Sequence, residues 1–282
     1  MAVMITADST CDLSKELIDK YGVLITPLYI TRGMDQQRDG VGIKQSDVFE
    51  YFEKTGQLAK TAAVSQGDYM DVFEPILKEG NEIVHIDISA SMSVCNRNAN
   101  AAAEELGGVY VVDSRNLSTG SGLLVLMACE LAQAGKSAKE IADTLNEARE
   151  RVDASFVINT LEYLRKGGRC SALAALGANM LKLKPCIEVK DGAMGVGKKY
   201  RGNMSKVIPQ YVAERLADTS DIDTRRIFVT HTCGTDRQLV DAAIEAVKAA
   251  GDFDEIIETE AGCTVASHCG PGTLGVLFFH KQ

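Results

Sequence analysis

The chain has 282 residues, a formal net charge of −9 and a pI near 5.1, with 45% hydrophobic and 24% charged residues. This length is enough to bury a large core and predicts two domains. The acidic balance excludes nucleic acid and disfavours adhesion to anionic membranes. No apolar stretch approaches the roughly 20 residues that span a membrane. The N-terminus has neither a basic region nor a long apolar run, so we expect a cytoplasmic protein without a signal peptide.

Eight cysteines are spread along the sequence, at positions 11, 95, 129, 170, 186, 233, 263 and 269. They form no C-x-x-C pair, and no histidine lies near them at the spacing of a zinc site. In a cytoplasmic protein we expect such cysteines to be reduced and mostly buried. The sequence therefore predicts no metal and no other cofactor.

In the first half of the chain, short β-forming stretches alternate with stretches of helical periodicity. Predicted strands cover residues 1–6, 23–30, 83–88 and 109–113, with a loop at residues 31–45. Predicted helices follow Asp12, Ser46 and Ser65 and cover residues 99–106, 120–134 and 136–152. Ser65 with Asp68, and Ser137 with Glu140, have the spacing of capping boxes. The alternation predicts a parallel sheet covered by helices on both faces, with ligands at the carboxyl ends of its strands.

After Ser155 the pattern changes to one that includes a hairpin. Predicted strands cover residues 155–160, 185–190, 226–231, 255–259 and 276–280, and Asp191-Gly192 is a hairpin turn. Predicted helices cover residues 161–166, 171–182, 205–218 and 235–250. The sequence thus predicts a parallel-sheet α/β domain at residues 1–152 and an α+β domain at residues 153–282.

Residues 82–106 combine a predicted strand end, a serine-rich turn and a predicted helix start. The first N–H groups of a helix lack internal partners, and the macrodipole adds partial positive charge there. Such a junction is typical of an anion site, in which Ser93 is a candidate ligand. The alternative is that Ser93 only caps the helix.

Two apparent nucleotide motifs do not fit their structural context. Gly135-Lys136-Ser137 matches the end of a P-loop, but Glu130 stands where the first glycine is required, and the segment joins two predicted helices. Residues 270–275 match G-x-G-x-x-G, but the chain ends seven residues later, which leaves no room for a βαβ unit. The sequence therefore predicts no nucleotide site.

Nine segments of the chain match the pattern of a known family in the same order. The most specific are residues 160–169, which read T-L-E-Y-L-R-K-G-G-R, and residues 268–272, which read H-C-G-P-G. The others are residues 5–13, 27–28, 61–65, 89–93, 113–114, 184–185 and 201–202. Through these segments nearly the whole chain resembles the DegV family, bacterial proteins that bind a fatty acid and form the lipid-carrying subunit of fatty acid kinase.

The resemblance implies a two-domain fold that holds one long-chain fatty acid in an apolar tunnel between the domains. The positions that match the family's carboxylate ligands are Thr61, Ser93, Arg201 and His268. A partner kinase subunit would use ATP to phosphorylate the bound carboxylate, so this chain itself would be a carrier and not an enzyme. Arg169, just beyond Gly167-Gly168, is a hypothetical docking contact for that kinase.

The chain departs from the family pattern at two of these positions. It has Ser93-Val94-Cys95-Asn96 where the family reads S-G-T-Y, and T-A-A-V-S at residues 61–65 where the family reads T-S-Q-P-S. The hydroxyls at positions 61 and 93 are retained. Val94 disfavours positive φ, so we expect a turn with a compatible backbone angle there.

Two other functions remain open from the sequence. One is a hydrolase of acyl esters that uses Cys269 or Ser93 as nucleophile, His268 as base and Asp8 as the orienting acid. The other is a regulatory or structural module in which the lipid only stabilises the fold. Lipid that co-purifies supports carrier and module alike, whereas stimulation of a kinase separates them.

Overall fold

The computed structural model describes residues 2–172 and 183–282. Its strands are β1 Val3–Asp8, β2 Leu24–Thr26, β3 Tyr29–Arg32, β4 Asp35–Arg38, β5 Lys60–Ala62, β6 Glu82–Asp87, β7 Val109–Asp113, β8 Val152–Val157, β9 Leu183–Lys190, β10 Ala193–Arg201, β11 Ile222–His231, β12 Glu255–Glu260 and β13 Leu274–His280. Its helices are α1 Lys15–Tyr21, α2 Gln45–Thr55, α3 Gln66–Lys78, α4 Cys95–Leu106, α5 Thr119–Gln133, α6 Ala138–Ala148, α7 Glu162–Gly167, α8 Met204–Arg215, α9 Arg237–Ala250 and α10 Cys263–Cys269. The predicted helix at residues 171–182 lies outside the described residues, apart from its first two.

Four parallel strands form the sheet of the N-terminal half, in the order β2-β1-β6-β7. Consecutive apolar residues on β6, such as Ile83 and Val84, are both buried, as expected for a parallel strand with covered faces. Helices α3 and α4 contact each other and this sheet, and so do α5 and α6. The predicted parallel α/β architecture is confirmed.

Six strands form a second sheet in the C-terminal half, in the order β10-β9-β8-β13-β11-β12. Neighbours are antiparallel except β11 and β12. Asp191 and Gly192 join β9 to β10 with φ angles of 51° and 77°, as expected for a two-residue hairpin turn. Helices α8 and α9 pack together beside this sheet and share a core with it that includes Tyr211 and Ile227. The predicted sheet-rich C-terminal region is confirmed.

Helix α5 lies between the two halves. Ten of its 15 residues are buried, because it contacts β1 and β6 of the parallel sheet as well as β8 and β13 of the second sheet. Gly122 allows this approach, since a Cβ there would lie 2.7 Å from the carbonyl oxygen of Cys11. One apolar core therefore runs through both halves and includes Ile83 as well as Phe156. The domain boundary at residue 152 stays a prediction.

The structure differs from the prediction at residues 23–45. The predicted single strand at residues 23–30 is two strands, β2 and β3, and the predicted loop contains β4, which pairs with β3. Strand β4 reads D-Q-Q-R and is mostly exposed, so it shows no apolar periodicity. Strand β5 completes this small antiparallel sheet on the other side of β3. Thr61 lies on β5 and thus not on a strand of the parallel sheet.

Two predicted helix starts are wrong. Helix α1 is capped by the side chain of Ser14, whereas Asp12 lies before the helix with a φ of 51°. Helix α2 has Lys44 at its N-cap, which places Ser46 inside the first turn. The capping boxes of α3 and α6 are confirmed. Helices α1 and α2 end at Gly22 and Gly56, both with positive φ.

Membrane-crossing helices are absent from the part of the chain that the structure describes. No helix there is both long enough and apolar enough to cross a bilayer.

Candidate functional site

Thr61, Ser93 and His268 come from distant parts of the sequence and line one cavity, which we call the head cavity. Thr61 lies on β5, Ser93 in the turn between β6 and α4, and His268 on α10. The cavity is narrow, with a volume of about 60 Å³, which still exceeds the roughly 10–15 Å³ that one water requires. Its other lining residues are Leu28, Ala62, Ala63, Ile88, Met92, Leu117, Arg169, Met194, Thr264, Val265 and Cys269.

A hydrogen bond joins the side chains of Thr61 and His268, with 2.9 Å between Oγ1 and Nε2. Burial, together with the positive charge of Arg169, lowers the pKa of His268 to about 4, so the ring is neutral near pH 7. In the tautomer with the proton on Nε2, the ring donates to Thr61 and leaves the threonine hydroxyl proton available to a ligand. The pair therefore suits an anionic ligand that accepts hydrogen bonds.

Two aspartates from the N-terminal half hold the helix that carries His268. Asp39 accepts hydrogen bonds from the first two N–H groups of α10, at 2.8 and 3.1 Å. Asp12 accepts from the preceding Gly262 N–H at 2.8 Å and from the Ser118 hydroxyl at 2.6 Å. Burial raises the pKa of Asp12 to about 8, although these two hydrogen bonds oppose the rise. The Asp12 carboxylate thus accepts hydrogen bonds from residues that are distant in the sequence, which explains why it does not cap α1.

The two most specific sequence segments pack against each other, and glycines make this possible. A Cβ on Gly167 would overlap Nδ1 of His268. A Cβ on Gly270 would lie 2.7 Å from the ring of Tyr163, and Gly270 also has a φ of 77°. Helices α7 and α10 therefore approach each other closely, and this contact fixes the His268 ring.

The turn that departs from the family pattern does not need a positive φ. Val94 has a φ of −86° and a ψ of 6°, in the bridge region between helix and strand, which is open to residues other than glycine. The hydroxyl of Ser93 accepts from the Cys95 N–H at 3.2 Å and donates to the Cys95 thiol at 3.2 Å. Ser93 thus precedes Val94, which is the N-cap of α4, and binds only the first N–H group of the helix. Because sulfur is a weak acceptor, the Ser93 hydroxyl proton is easily redirected to a better one.

Asn96, another residue of this turn, fixes α4 to the end of β6. Its amide nitrogen donates to both carboxyl oxygens of Asp87, at 3.1 and 3.3 Å. Burial raises the pKa of Asp87, and the nearby Asp8 and Asp113 raise it further. The amide therefore stabilises a buried acidic group, which gives this departure from the family pattern a structural role.

Arg169 also lines the head cavity, although it is exposed. Its Nη1 donates to the carbonyl oxygen of Gly167 at 2.8 Å. Arg169 thus lies at the cavity mouth, a position that the docking hypothesis did not include. Arg201 is exposed at the end of β10 and is not among the described residues that line the cavity. The structure brings three of the four predicted carboxylate ligands together and adds Arg169 to them.

A second cavity, which we call the deep cavity, lies next to the head cavity. Leu117, Val265 and Cys269 line both. The deep cavity has a volume of about 30 Å³ and lies against the second sheet, where Phe156 on β8 and Leu277 on β13 line it. The two cavities are therefore neighbours, with the exposed Arg169 at the edge of the head cavity.

The polar side chains that line the deep cavity already have partners. Ser118 donates to Asp12, Thr230 shares hydrogen bonds with Thr119 and Thr259, Thr232 donates to the carbonyl of Gly270, Thr273 donates to that of Cys269, and His231 contacts Glu258 at 3.2 Å. Satisfied groups of this kind do not attract a polar ligand. The deep cavity therefore offers apolar surroundings to a ligand, in contrast to the head cavity.

Other chemistry is poorly supported at the site. Burial raises the pKa of the Cys269 thiol to about 12, which makes it a weak nucleophile. Asp8 accepts from the Tyr69 hydroxyl at 2.7 Å and from the Ile88 N–H at 3.2 Å, and it has no contact with His268. The predicted nucleophile, base and acid therefore do not form one set. Within residues 2–172 and 183–282, no group of three or more His, Cys, Asp and Glu residues is arranged to hold a metal ion.

The sequence matches one family model, described as "Uncharacterised protein, DegV family", over residues 2–281. The chain belongs to the DegV family. A DegV domain-containing protein from Clostridium acetobutylicum is 32% identical over 281 residues, and one from Caldanaerobacter subterraneus is 29% identical over 282 residues. Each alignment covers 99% of both chains.

Solved structures of DegV proteins have the same fold. One described as "Fatty Acid Binding of a DegV family Protein from Thermus thermophilus" matches with a TM-score of 0.91 and 30% identity over 100% of both chains. DegV from Bacillus subtilis, described as a fatty acid binding protein, matches with a TM-score of 0.84 and 22% identity over 100% of both chains. At that lower identity the match shows the fold alone.

Proposed function

We propose that this DegV protein binds one long-chain fatty acid, with the carboxylate in the head cavity and the acyl chain in the deep cavity. The observation that carries the proposal is the hydrogen bond of Thr61 to His268 in the head cavity, which shares lining residues with the apolar deep cavity beside it. The fatty acid binding described for the Thermus thermophilus relative supports the same ligand class.

The carboxylate would accept hydrogen bonds from the hydroxyls of Thr61 and Ser93. Hydrogen bonds to a charged acceptor are the strong ones, about 1.5–3 kcal/mol each. Arg169 at the mouth supplies positive charge, and His268 orients the Thr61 hydroxyl. Arg201 remains a carboxylate ligand only through the family resemblance, since it lies outside the cavity lining.

The bound fatty acid would be the substrate of a separate kinase. A carboxylate oxygen would attack the γ-phosphoryl group of ATP, which gives an acyl-phosphate and ADP, and the kinase would supply the groups that handle ATP. This chain would present the carboxylate at an open mouth, beside the exposed Arg169. The need for ATP and the eight cysteines, which form no C-x-x-C pair, both favour the cytoplasm.

Extraction of lipid from purified protein tests the ligand. Mass spectrometry of denatured protein should release about one fatty acid per chain. We expect Thr61→Val to reduce this occupancy, whereas Thr10→Val should not. Thr10 is a matched control because its hydroxyl is buried, has no hydrogen-bond partner among the described residues and lies outside the head cavity. Protein that takes up no fatty acid, even from an added mixture, would contradict the proposal.

Incubation of lipid-loaded protein with ATP and a candidate kinase tests the carrier role. Hydroxylamine trapping should detect the acyl-phosphate as a hydroxamate. Arg169→Ala should lower this yield in protein that still carries lipid, and Arg165→Ala, on the exposed surface of α7, is the matched control. Loaded protein that yields no acyl-phosphate would leave a lipid-binding module without a kinase partner as the function.

A further inference from the structure

The deep cavity is separated from a third cavity by two side chains. Ala154 on β8 and Val189 on β9 line the deep cavity and also line an outer cavity of about 300 Å³. In the register of β8 and β9, Ser155 pairs with Glu188, which places Ala154 opposite Val189. Opposite residues of two antiparallel strands project on the same face of the sheet. These two residues therefore lie side by side between the two cavities, and we call them the Ala154–Val189 wall.

The two cavities that this wall separates differ in chemistry. Phe156, Leu277 and Val265 line the deep cavity. Charged side chains line the outer cavity, among them Arg215, which is ion-paired with Asp153, and Lys190 and Glu188, whose charged groups are 2.6 Å apart. An alkyl chain that crossed the wall would leave an apolar environment for a charged one. The wall is thus a boundary of polarity as well as a steric one.

Thr230 on β11 also lines the deep cavity, two strands away from Ala154 on β8, and its hydroxyl is hydrogen-bonded. The hydroxyls of Thr119 and Thr230 are 2.6 Å apart, and those of Thr230 and Thr259 are 3.0 Å apart. A chain of mutually bonded hydroxyls is held in place, because moving one member leaves the others unsatisfied. The small apolar residues Ala154 and Val189 are therefore the ones that can adjust the volume open to a ligand.

We infer that the Ala154–Val189 wall sets the length of the acyl chain that the protein accepts. The inference rests on the proposed function and goes beyond it to the selection of substrates. Each CH₂ that is buried before the wall strengthens binding by roughly fourfold. A CH₂ beyond the wall adds nothing and requires displacement of a packed side chain. Affinity therefore rises with chain length up to the wall and falls beyond it.

Changes in the size of the wall test the inference. Delipidated protein is offered an equimolar mixture of saturated fatty acids of twelve to twenty carbons, and bound lipid is identified by mass spectrometry. Ala154→Ile enlarges the wall and should shift the bound set by about two carbons to shorter chains. Val189→Ala reduces the wall and should shift it to longer chains. Val157→Ala is the matched control, because Val157 is buried on β8 but belongs to the second core, on α8 and α9.

The possible outcomes separate the inference from the proposed function. Opposite shifts for Ala154→Ile and Val189→Ala, with no shift for Val157→Ala, support the inference. Variants that carry lipid with the wild-type length distribution overturn the inference and leave fatty acid binding intact. A wild-type protein that takes up none of the fatty acids overturns both. If Ala154→Ile does not fold, Ala154→Val adds two carbons in place of three and must shift the set in the same direction.

Discussion

The head cavity and the deep cavity are built differently. The head cavity is assembled from β5, the turn before α4, and α10, which come from both halves of the chain, and its hydroxyls can still donate to a ligand. The deep cavity lies against the second sheet, and its polar side chains are already paired. Under the proposed function, the deep cavity would contribute affinity through burial of the acyl chain, and the head cavity would fix where the carboxylate lies.

Blocking the passage between the two cavities should have the largest effect. Leu117 lines both cavities, so Leu117→Trp fills the passage and keeps the acyl chain out of the deep cavity. Exclusion of about six CH₂ groups removes about 5 kcal/mol of binding free energy. Isothermal titration with a fatty acid measures the loss, and circular dichroism confirms that the variant is folded. Wild-type affinity in a folded Leu117→Trp protein would contradict the assignment of the deep cavity to the chain.

The buried His268 should make stability depend on pH. Its pKa falls to about 4 on folding because burial disfavours the charged ring. The unfolded chain therefore binds more protons between pH 6.5 and pH 4, and the free energy of unfolding decreases as the pH falls through this window, by about 3 kcal/mol in total. Above pH 6.5 the ring contributes no pH dependence.

Denaturant unfolding of wild-type protein and His268→Gln across this window measures the effect as a difference. Asp12, whose pKa rises to about 8, contributes the opposite slope between pH 4 and pH 8 in both proteins and cancels in the difference. If the free energy of unfolding depended on pH in the same way in both proteins, His268 would not be desolvated as described.

Removal of one hydroxyl from the head cavity should have a smaller effect. Thr61→Val keeps the shape of the side chain and removes its donor, which should weaken fatty acid binding by about 2 kcal/mol. The same substitution should leave the preference for chain length unchanged, because the deep cavity is intact. Titrations with a series of fatty acids measure both quantities. A change in the preferred chain length would contradict the separate roles proposed for the head cavity and the deep cavity.

The smallest effect is expected at the mouth. Arg169→Ala should weaken binding by only a few-fold, because an exposed charge is screened by solvent. It should also raise the pKa of His268, since the positive charge of Arg169 lowers that pKa. NMR titration of the His268 ring gives the pKa directly. An unchanged pKa would place Arg169 farther from the site than its position at the cavity mouth indicates.

Much of the fold could be predicted from local patterns, and much of the site could not. The capping boxes at Ser65 and Ser137 are encoded within a few residues, and these predictions are confirmed. Helix α10 has only seven residues, so it shows no long periodicity, and the predicted helices do not include it. The partner of Asp12 is Gly262, 250 residues away, and no local signal reports such a contact.

The candidate site residues could be predicted from the resemblance to the family and not from periodicity. Thr61, Ser93 and His268 were assigned through matching motifs and line one cavity. Arg169 was identified as exposed, which is confirmed, but its place at the cavity mouth depends on how α7 packs against α10. Gly167 is the sequence signal that was available for this, because its lack of a Cβ admits the His268 ring.

NMR of a bound fatty acid with an isotope-labelled carboxyl carbon tests the central claim most directly. The account predicts one sharp resonance for lipid bound to wild-type protein, at a chemical shift different from that of free lipid. In Thr61→Val this resonance should move toward the free value, and in Thr10→Val it should not. A bound carboxyl resonance that is the same in all three proteins would show that the carboxylate lies elsewhere and would contradict the assignment of the head cavity.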